Sequence, residues 1–174
     1  MMIAAAPHLR TDDQIATCLA QAVEVAIADM PRALQDDPLT LTVQMSVGVV
    51  SRIMAGHPSC LMLKAEDGPG LEKLPALREA QPEGRLRPFS IQTAKGGLLL
   101  NPEPECGSDG AMKGEGFPDM LVDIDALRRW GGRDAAHALL DPHLPLIRYE
   151  RQPDIGLALC KHVLMRRGVI ASDT

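Results

Sequence analysis

The strongest constraint on the fold of this 174-residue chain is an alternation of apolar and polar residues over residues 39–49. The apolar positions are Leu39, Leu41, Val43, Met45, Val47 and Val49, and each residue between them is Thr, Gln, Ser or Gly. Side chains two residues apart share one face of a β-strand, so the pattern predicts a strand with one buried and one solvated face. Such half-buried strands are typical of antiparallel sheets, and residues 60–63 are the expected hairpin partner.

Helix signals stand near both ends of the chain. Thr11 and Gln14 form a predicted capping box, and apolar residues then recur every three or four positions until Pro31. A last helix is expected to begin after Asp154, which caps it. The sequence therefore predicts a single α+β domain over residues 1–174, in which an antiparallel sheet is covered on one face by the N- and C-terminal helices.

The segments between these elements carry weaker signals. The sequence predicts a short helix over 71–80, a hairpin made of 88–94 and 98–100, a helix over 133–140 and an extended segment over 144–149. Residues 120–124 fit either a strand or the start of a helix that ends at the following pair of glycines.

Charge and composition restrict the partners and the location. Eighteen Lys and Arg residues against 23 Asp and Glu residues give a net charge of −5, which repels phosphate backbones and acidic membrane surfaces. Because of this charge, we expect no nucleic-acid binding. The sequence also has no run of 18 apolar residues, so we expect no membrane binding either. Its four cysteines form no CxxC pair, which predicts free thiols and a cytoplasmic protein. The oligomeric state stays open.

Residues 101–118 differ in composition from the rest of the chain, with three Pro and four Gly residues and little apolar periodicity. This composition predicts a long, mobile loop. Its charge is mostly acidic, and one isolated aromatic residue is suited to a pocket on a partner. We therefore predict a contact surface for a protein partner, made of Glu103, Glu105, Asp109, Glu115, Phe117 and Asp119. The alternative is a solvated loop that binds no partner.

Asp123 and Asp125 are the most enzyme-like feature of the sequence. They follow a short apolar run, and two carboxylates at the end of a buried strand are able to hold Mg²⁺ or Mn²⁺ for phosphoryl or glycosyl transfer. At the start of a helix, the same pair would instead complement the positive end of the helix dipole. A third interpretation is ordinary surface charge, and the sequence leaves all three open.

Motifs for nucleophilic catalysis and phosphate binding are missing, since the sequence contains no GxSxG, GxxxxGK[ST] or GxGxxG. A non-enzymatic binding, adaptor or regulatory protein that needs no cofactor requires the fewest assumptions. The alternative is a divalent-metal-dependent phosphoryl or glycosyl transferase or hydrolase that uses Asp123 and Asp125. A small-molecule sensor with a Met-lined sheet is a third hypothesis.

Overall fold

The structure, a computed structural model, describes residues 1–27, 30–68, 71–81, 88–113 and 116–174. Its strands are β1 (Met2–Ala4), β2 (Arg32–Asp36), β3 (Cys60–Ala65), β4 (Ser90–Thr93) and β5 (Gly110–Ala111). Its helices are α1 (Asp12–Val25), α2 (Pro38–Leu41), α3 (Val47–Gly56), α4 (Lys73–Glu79), α5 (Pro102–Glu105), α6 (Pro118–Arg129), α7 (Arg133–Leu140), α8 (Leu144–Glu150) and α9 (Ile155–Arg166).

The chain divides into two compact units. The first, called the βα unit, contains residues 1–93 and 102–110, and the second, called the helical unit, contains residues 94–101 and 111–174. The βα unit holds β1 to β4 and α1 to α5, the helical unit holds α6 to α9, and β5 spans the boundary. Within the described ranges, no helix is long and apolar enough to cross a membrane.

The sheet of the βα unit is parallel, and the predicted antiparallel sheet is wrong. Strand order follows chain order, and the pairs β1–β2, β2–β3 and β3–β4 are all parallel. Parallel neighbours need a crossover connection, which α1, α3 and α4 supply. Of the two helices predicted to cover the sheet, α1 packs in the core of the βα unit, whereas α9 belongs to the helical unit.

The strand register explains which face of the sheet forms the core. Leu34, Leu63 and Ile91 are aligned in three neighbouring strands, and each is fully buried. They pack with apolar side chains of α1, α3 and α4. Burial of an apolar side chain of this size contributes about 1.5–3 kcal/mol. Because successive side chains of a strand point to opposite faces, the residues that follow Leu34, Leu63 and Ile91 lie on the other face of the sheet.

The alternating segment forms two helices and a connecting segment instead of a strand. The Asp37 side chain accepts a hydrogen bond from the Thr40 backbone N–H, and Pro38 occupies the first turn, so α2 begins here. Ser46 Oγ accepts from the Val49 N–H at 3.1 Å and caps the start of α3. These caps satisfy backbone donors that a helix start leaves without partners, which favours two helix starts where the apolar pattern predicted one strand.

Burial along this segment shows why its period of two was misleading. Leu39, at the start of the pattern, is 74% exposed, whereas Val43 and Met45 are buried in the connecting segment. The Met45 N–H donates to Asp36 Oδ1 at 3.1 Å, which holds the connecting segment against the end of β2. The apolar positions of the pattern therefore fall in two helices and in the segment between them, and not on one face of a strand.

Several other predicted elements are confirmed. Thr11 Oγ1 accepts from the Gln14 N–H at 3.3 Å, and the Gln14 side chain accepts from the Thr11 N–H, so the capping box is present. The helix predicted over 133–140 is α7, and α9 begins directly after Asp154, although the Asp154 side chain makes no capping hydrogen bond and the predicted cap is wrong. Residues 60–63 lie in β3, although its partners are parallel strands. The four cysteines were predicted to form no disulfide, and they form none among the described residues.

Four further segments differ from their predictions or decide between alternatives. Residues 144–149 lie in α8, whose first turn contains a proline. Residues 95–97 form a 3₁₀ turn, so 88–94 and 98–100 do not make a hairpin. The predicted loop over 101–118 contains α5 and β5. The segment 120–124 lies within α6, which selects the helical alternative.

The helical unit buries an ion pair. Lys113 Nζ lies 3.4 Å from a carboxylate oxygen of Glu150, and both side chains are 3% exposed. Burial lowers the pKa of Lys113 from 10.5 to about 7, while Cys160 acts to raise it and Arg151 to lower it further. The folded protein therefore holds this proton less tightly than the unfolded chain does.

We predict that Ser46→Ala lowers the free energy of unfolding by about 1 kcal/mol, because it removes the cap of α3. The variant also loses the hydrogen bond that Ser46 Oγ donates to Asp12 Oδ2 at 2.6 Å. Urea unfolding followed by far-UV circular dichroism measures the change. Ser51→Ala, inside α3, is the matched control and should change the stability by only about a few tenths of a kcal/mol. Equal stabilities of the two variants would contradict the helical assignment.

A second prediction concerns the pH dependence of stability. Between about pH 7 and 10.5, Lys113 is protonated in the unfolded chain but mostly neutral in the folded protein. Unfolding therefore takes up a proton in this window, and the free energy of unfolding should rise with pH. Relative to Lys113→Met, the wild-type protein should gain more than about 1 kcal/mol between about pH 7 and pH 9. Urea unfolding at both pH values measures this difference. A difference that stays constant with pH would show that Lys113 keeps its ordinary proton affinity.

Candidate active site

Polar side chains form a row at the carboxyl ends of the central strands. In the register of the sheet, Gln35 of β2 is aligned with Lys64 of β3, and Lys64 is aligned with Gln92 of β4. Glu66 stands two residues after Lys64, just beyond the end of β3, and so projects to the same side. Parallel βα folds bind their ligands outside the carboxyl ends of the strands. The row therefore marks the edge of the sheet where a site is expected.

Glu66 connects Lys64 to Gln35, and these three residues are called the front cluster. Glu66 Oε2 lies 2.8 Å from Lys64 Nζ and accepts a hydrogen bond from Gln35 Nε2 at 3.0 Å. The Lys64 side chain is 15% exposed and the Glu66 side chain is 5% exposed. The amine therefore stands beside a buried carboxylate while it keeps some access from outside the unit.

A second ion-pair cluster, called the back cluster, is made of Asp36, Asp67 and Lys73. Lys73 Nζ lies 2.6 Å from one oxygen of each carboxylate. Asp36 follows Gln35 in β2, so its side chain faces the opposite side of the sheet, where it is fully buried. Burial raises the pKa of Asp36, and the charge and hydrogen bond of Lys73 oppose that rise.

The front cluster contains the groups that covalent carbonyl chemistry needs. A neutral lysine amine attacks a carbonyl carbon and forms a Schiff base, which the ammonium form does not do. A carboxylate within hydrogen-bond reach is positioned to take the proton from the amine. The 2.8 Å separation of Lys64 Nζ and Glu66 Oε2 meets this requirement.

An open surface cleft of the βα unit is lined by a different set of residues. Its walls come from the segment after β1 and from one side of α1, and they include Leu9, Asp13 and Cys18. Neither Lys64 nor Glu66 lines it. We therefore place the candidate site at the front cluster, where a buried carboxylate meets an amine, and not in the cleft.

The predicted metal ligands Asp123 and Asp125 lie inside α6, not at the end of a strand. Residues two apart on a helix point about 200° apart around its axis, so the two carboxylates do not converge on one ion. Asp125 instead pairs with Arg129 at 2.7 Å, one turn further along. Among the described residues, no group of three or more His, Cys, Asp and Glu side chains is arranged to hold a metal ion.

The residues of the predicted partner surface are divided between the two units. Glu103 is buried in α5, whereas Asp109 is half exposed and pairs with Arg78 at 2.6 Å. Glu105 is exposed in α5 of the same unit. Glu115 lies outside the described residues.

Phe117 and Asp119 belong to the helical unit. The Phe117 ring contacts the His143 ring edge-on, with centroids 6.1 Å apart, and the Arg167 guanidinium lies 5.2 Å from its centroid. Arg167 also pairs with exposed Asp119 at 2.8 Å, and that hydrogen bond lowers the pKa of Asp119. Phe117 therefore has an aromatic and a cationic neighbour within its own unit. Whether the six predicted residues contact a partner stays a prediction.

Sequence reasoning missed Gln35, Lys64 and Glu66. A usable signal was present, because two short apolar runs end in polar clusters, Gln-Asp-Asp at 35–37 and Lys-Ala-Glu-Asp at 64–67. In a parallel sheet, such clusters meet at one edge. The signal becomes informative only once the sheet is known to be parallel.

The fold and the front cluster together define a parallel βα protein with a lysine–carboxylate pair at the carboxyl edge of its sheet. No protein-family model matches the chain. The chain is 30% identical over 151 residues to an L-2-keto-3-deoxyarabonate dehydratase from Azospirillum brasilense, a match that covers 87% of this chain and 47% of that protein.

Two solved structures extend the comparison. A dihydrodipicolinate synthase from Rhodopseudomonas palustris is 53% identical, with a TM-score of 0.96 over 99% of this chain and 57% of that one. A prophage protein of the dihydrodipicolinic acid synthase family from E. coli K12, solved in complex with pyruvate, is 13% identical with a TM-score of 0.74 over 94% of this chain and 55% of that one. The second likeness shows the fold alone. The chain thus spans about half the length of the relatives it matches.

These likenesses correct the functional predictions. The prediction of a non-enzymatic binding, adaptor or regulatory protein is wrong, because nearly the whole chain is similar to enzymes, at up to 53% identity. The metal-dependent transferase or hydrolase has no support from the same relatives, and α6 places Asp123 and Asp125 on different faces. The predicted antiparallel fold is again contradicted, because the matched synthase has the TIM-barrel-like fold, in which the strands are parallel.

Proposed function

We propose that Lys64 forms a Schiff base with a 2-oxo acid and that the protein activates the carbon next to the imine. The observation that carries this proposal is the 2.8 Å contact between Lys64 Nζ and the buried Glu66 carboxylate at the carboxyl edge of a parallel sheet. Active sites of TIM-barrel enzymes stand at that edge, where residues from several strand ends converge.

The name of one similar protein and the ligand of another support a substrate class. The Azospirillum brasilense relative is named for a 2-keto acid, and the E. coli K12 prophage protein was solved with pyruvate, the smallest such acid. A ketone beside a carboxylate is the electrophile that a lysine amine attacks. A 2-oxo acid therefore fits the 2-keto acid dehydratase, the pyruvate complex and the amine of Lys64.

Imine formation requires Lys64 to lose one proton and the substrate to lose its carbonyl oxygen as water. Glu66 Oε2 is within hydrogen-bond reach of Lys64 Nζ, so it accepts the proton as the amine attacks the ketone carbon. Glu66 returns this proton to the alkoxide oxygen that the attack creates, a second proton from solvent water converts the resulting hydroxyl group into water, and that water leaves. The imine that remains is protonated, and its positive charge acidifies the hydrogens on the neighbouring carbon.

The next step is removal of one of those hydrogens as a proton to give an enamine. Glu66 is the carboxylate that pairs with Lys64, so it is positioned to act as the base, and Gln35 Nε2 donates a 3.0 Å hydrogen bond to its Oε2 atom. An enamine carbon attacks a second carbonyl compound or expels a leaving group one carbon further on. Both outcomes start from the enamine, so the proposal is compatible with the synthase and with the dehydratase to which the chain is similar.

The first test is covalent trapping. Incubation with pyruvate and borohydride should add one reduced pyruvate to the protein, and peptide mass spectrometry should place it on Lys64 because reduction makes the imine bond permanent. Lys64→Met should abolish the adduct. Lys161→Met, which removes a lysine from α9, is the matched control and should leave the adduct intact. An adduct on another lysine would refute the assignment of Lys64.

The second test measures enamine formation without knowledge of the second substrate. In D₂O, the protein should exchange the methyl hydrogens of pyruvate for deuterium, and proton NMR follows the loss of signal. Glu66→Gln should slow this exchange by about 100-fold, because it removes the base but keeps the size of the side chain. Glu79→Gln, at an exposed position of α4, is the control and should exchange at the wild-type rate. Wild-type exchange by Glu66→Gln would exclude Glu66 as the base.

A further inference from the structure

The front and back clusters are joined through the backbone on opposite faces of the same two strand ends. Asp36 of the back cluster directly follows Gln35 of the front cluster, and Asp67 directly follows Glu66. The Glu66 N–H donates to the Asp36 carbonyl oxygen at 2.7 Å, so the two segments also pair by a backbone bond. Any separation of the back carboxylates therefore moves Glu66 away from Gln35 as well.

Lys73 is the cation that holds the back carboxylates together. Its Nζ atom lies 2.6 Å from Asp36 and 2.6 Å from Asp67, and its side chain is only 10% exposed. Gln44 Nε2 also donates to Asp67 at 2.7 Å, but a neutral amide does not offset the repulsion between two carboxylates. The bridging charge comes from Lys73.

We propose that Lys73 is a positioning residue. By pairing with Asp36 and Asp67 on the opposite face of the sheet, it holds the ends of β2 and β3 together and so sets the distance between Glu66 and Lys64 in the front cluster. Lys73 lies on the face of the sheet away from the Lys64 amine and touches no substrate. This proposal rests on the proposed Schiff-base function. A displacement of about 1 Å of a catalytic group lowers the rate by up to about 100-fold. Loss of the Lys73 ion pairs is expected to lower the rate within this range.

The test compares Lys73→Met with Lys73→Arg in the pyruvate exchange assay, with each rate divided by the amount of Lys64 that borohydride traps. This correction removes any loss of folded protein. Lys73→Met should lower the maximal exchange rate about tenfold, while the pyruvate concentration at half-maximal rate changes less than about twofold. Lys73→Arg keeps the charge and should recover most of the rate.

Arg78→Met is the matched control, because Arg78 is a second cation on α4 that anchors other segments. Its guanidinium binds the carbonyl oxygens of Gly107 and Phe89 and the carboxylate of Asp109, none of which adjoins the front cluster in sequence. We expect Arg78→Met to lower stability but to keep the wild-type exchange rate per trapped Lys64.

The double variant Asp36→Asn with Lys73→Met keeps the test decisive if Lys73→Met does not fold. It removes the repulsion together with the Lys73 ion pairs, so it should fold and still exchange slowly. Wild-type exchange by either folded variant would overturn the positioning role of Lys73 and leave the Schiff-base proposal intact. Exchange that survives Lys64→Met would instead refute the proposed function itself.

Discussion

The Glu66 N–H donates to the Asp36 carbonyl oxygen at 2.7 Å, and this backbone bond extends the pairing of β2 and β3 beyond the two strands. Parallel register then determines which side chains meet, because Gln35 and Lys64 are aligned partners on one face. A shift of one residue would turn Lys64 into the apolar core and expose a leucine in its place. The candidate site depends on that register more than on any single polar contact.

One face of the sheet forms the apolar core, and the other face carries the candidate site. One face buries Leu34, Leu63 and Ile91 against helices, which fixes the strands in their register. The other face carries the amine and its carboxylate partner at the strand ends. Since these side chains alternate along the same strands, the apolar core positions the front cluster without touching it.

Elements defined by local interactions could be predicted from the sequence, whereas the site could not. The capping box of α1 uses Thr11 and Gln14, three residues apart, and its prediction was confirmed. The alternation around Val43 wrongly predicted a strand, because the Ser46 side chain caps the start of a helix within the alternating segment. The front cluster joins residues that are about thirty positions apart in sequence, and only the parallel pairing of β2 and β3 brings them together.

A crystal structure of the protein after borohydride reduction in the presence of pyruvate would show directly whether Lys64 carries the substrate. We expect continuous electron density from Lys64 Nζ to the second carbon of the reduced pyruvate, with Glu66 in contact with the new amine and Gln35 in contact with Glu66. Density for a covalent group on Lys73 or any other lysine, with Lys64 unmodified, would contradict it.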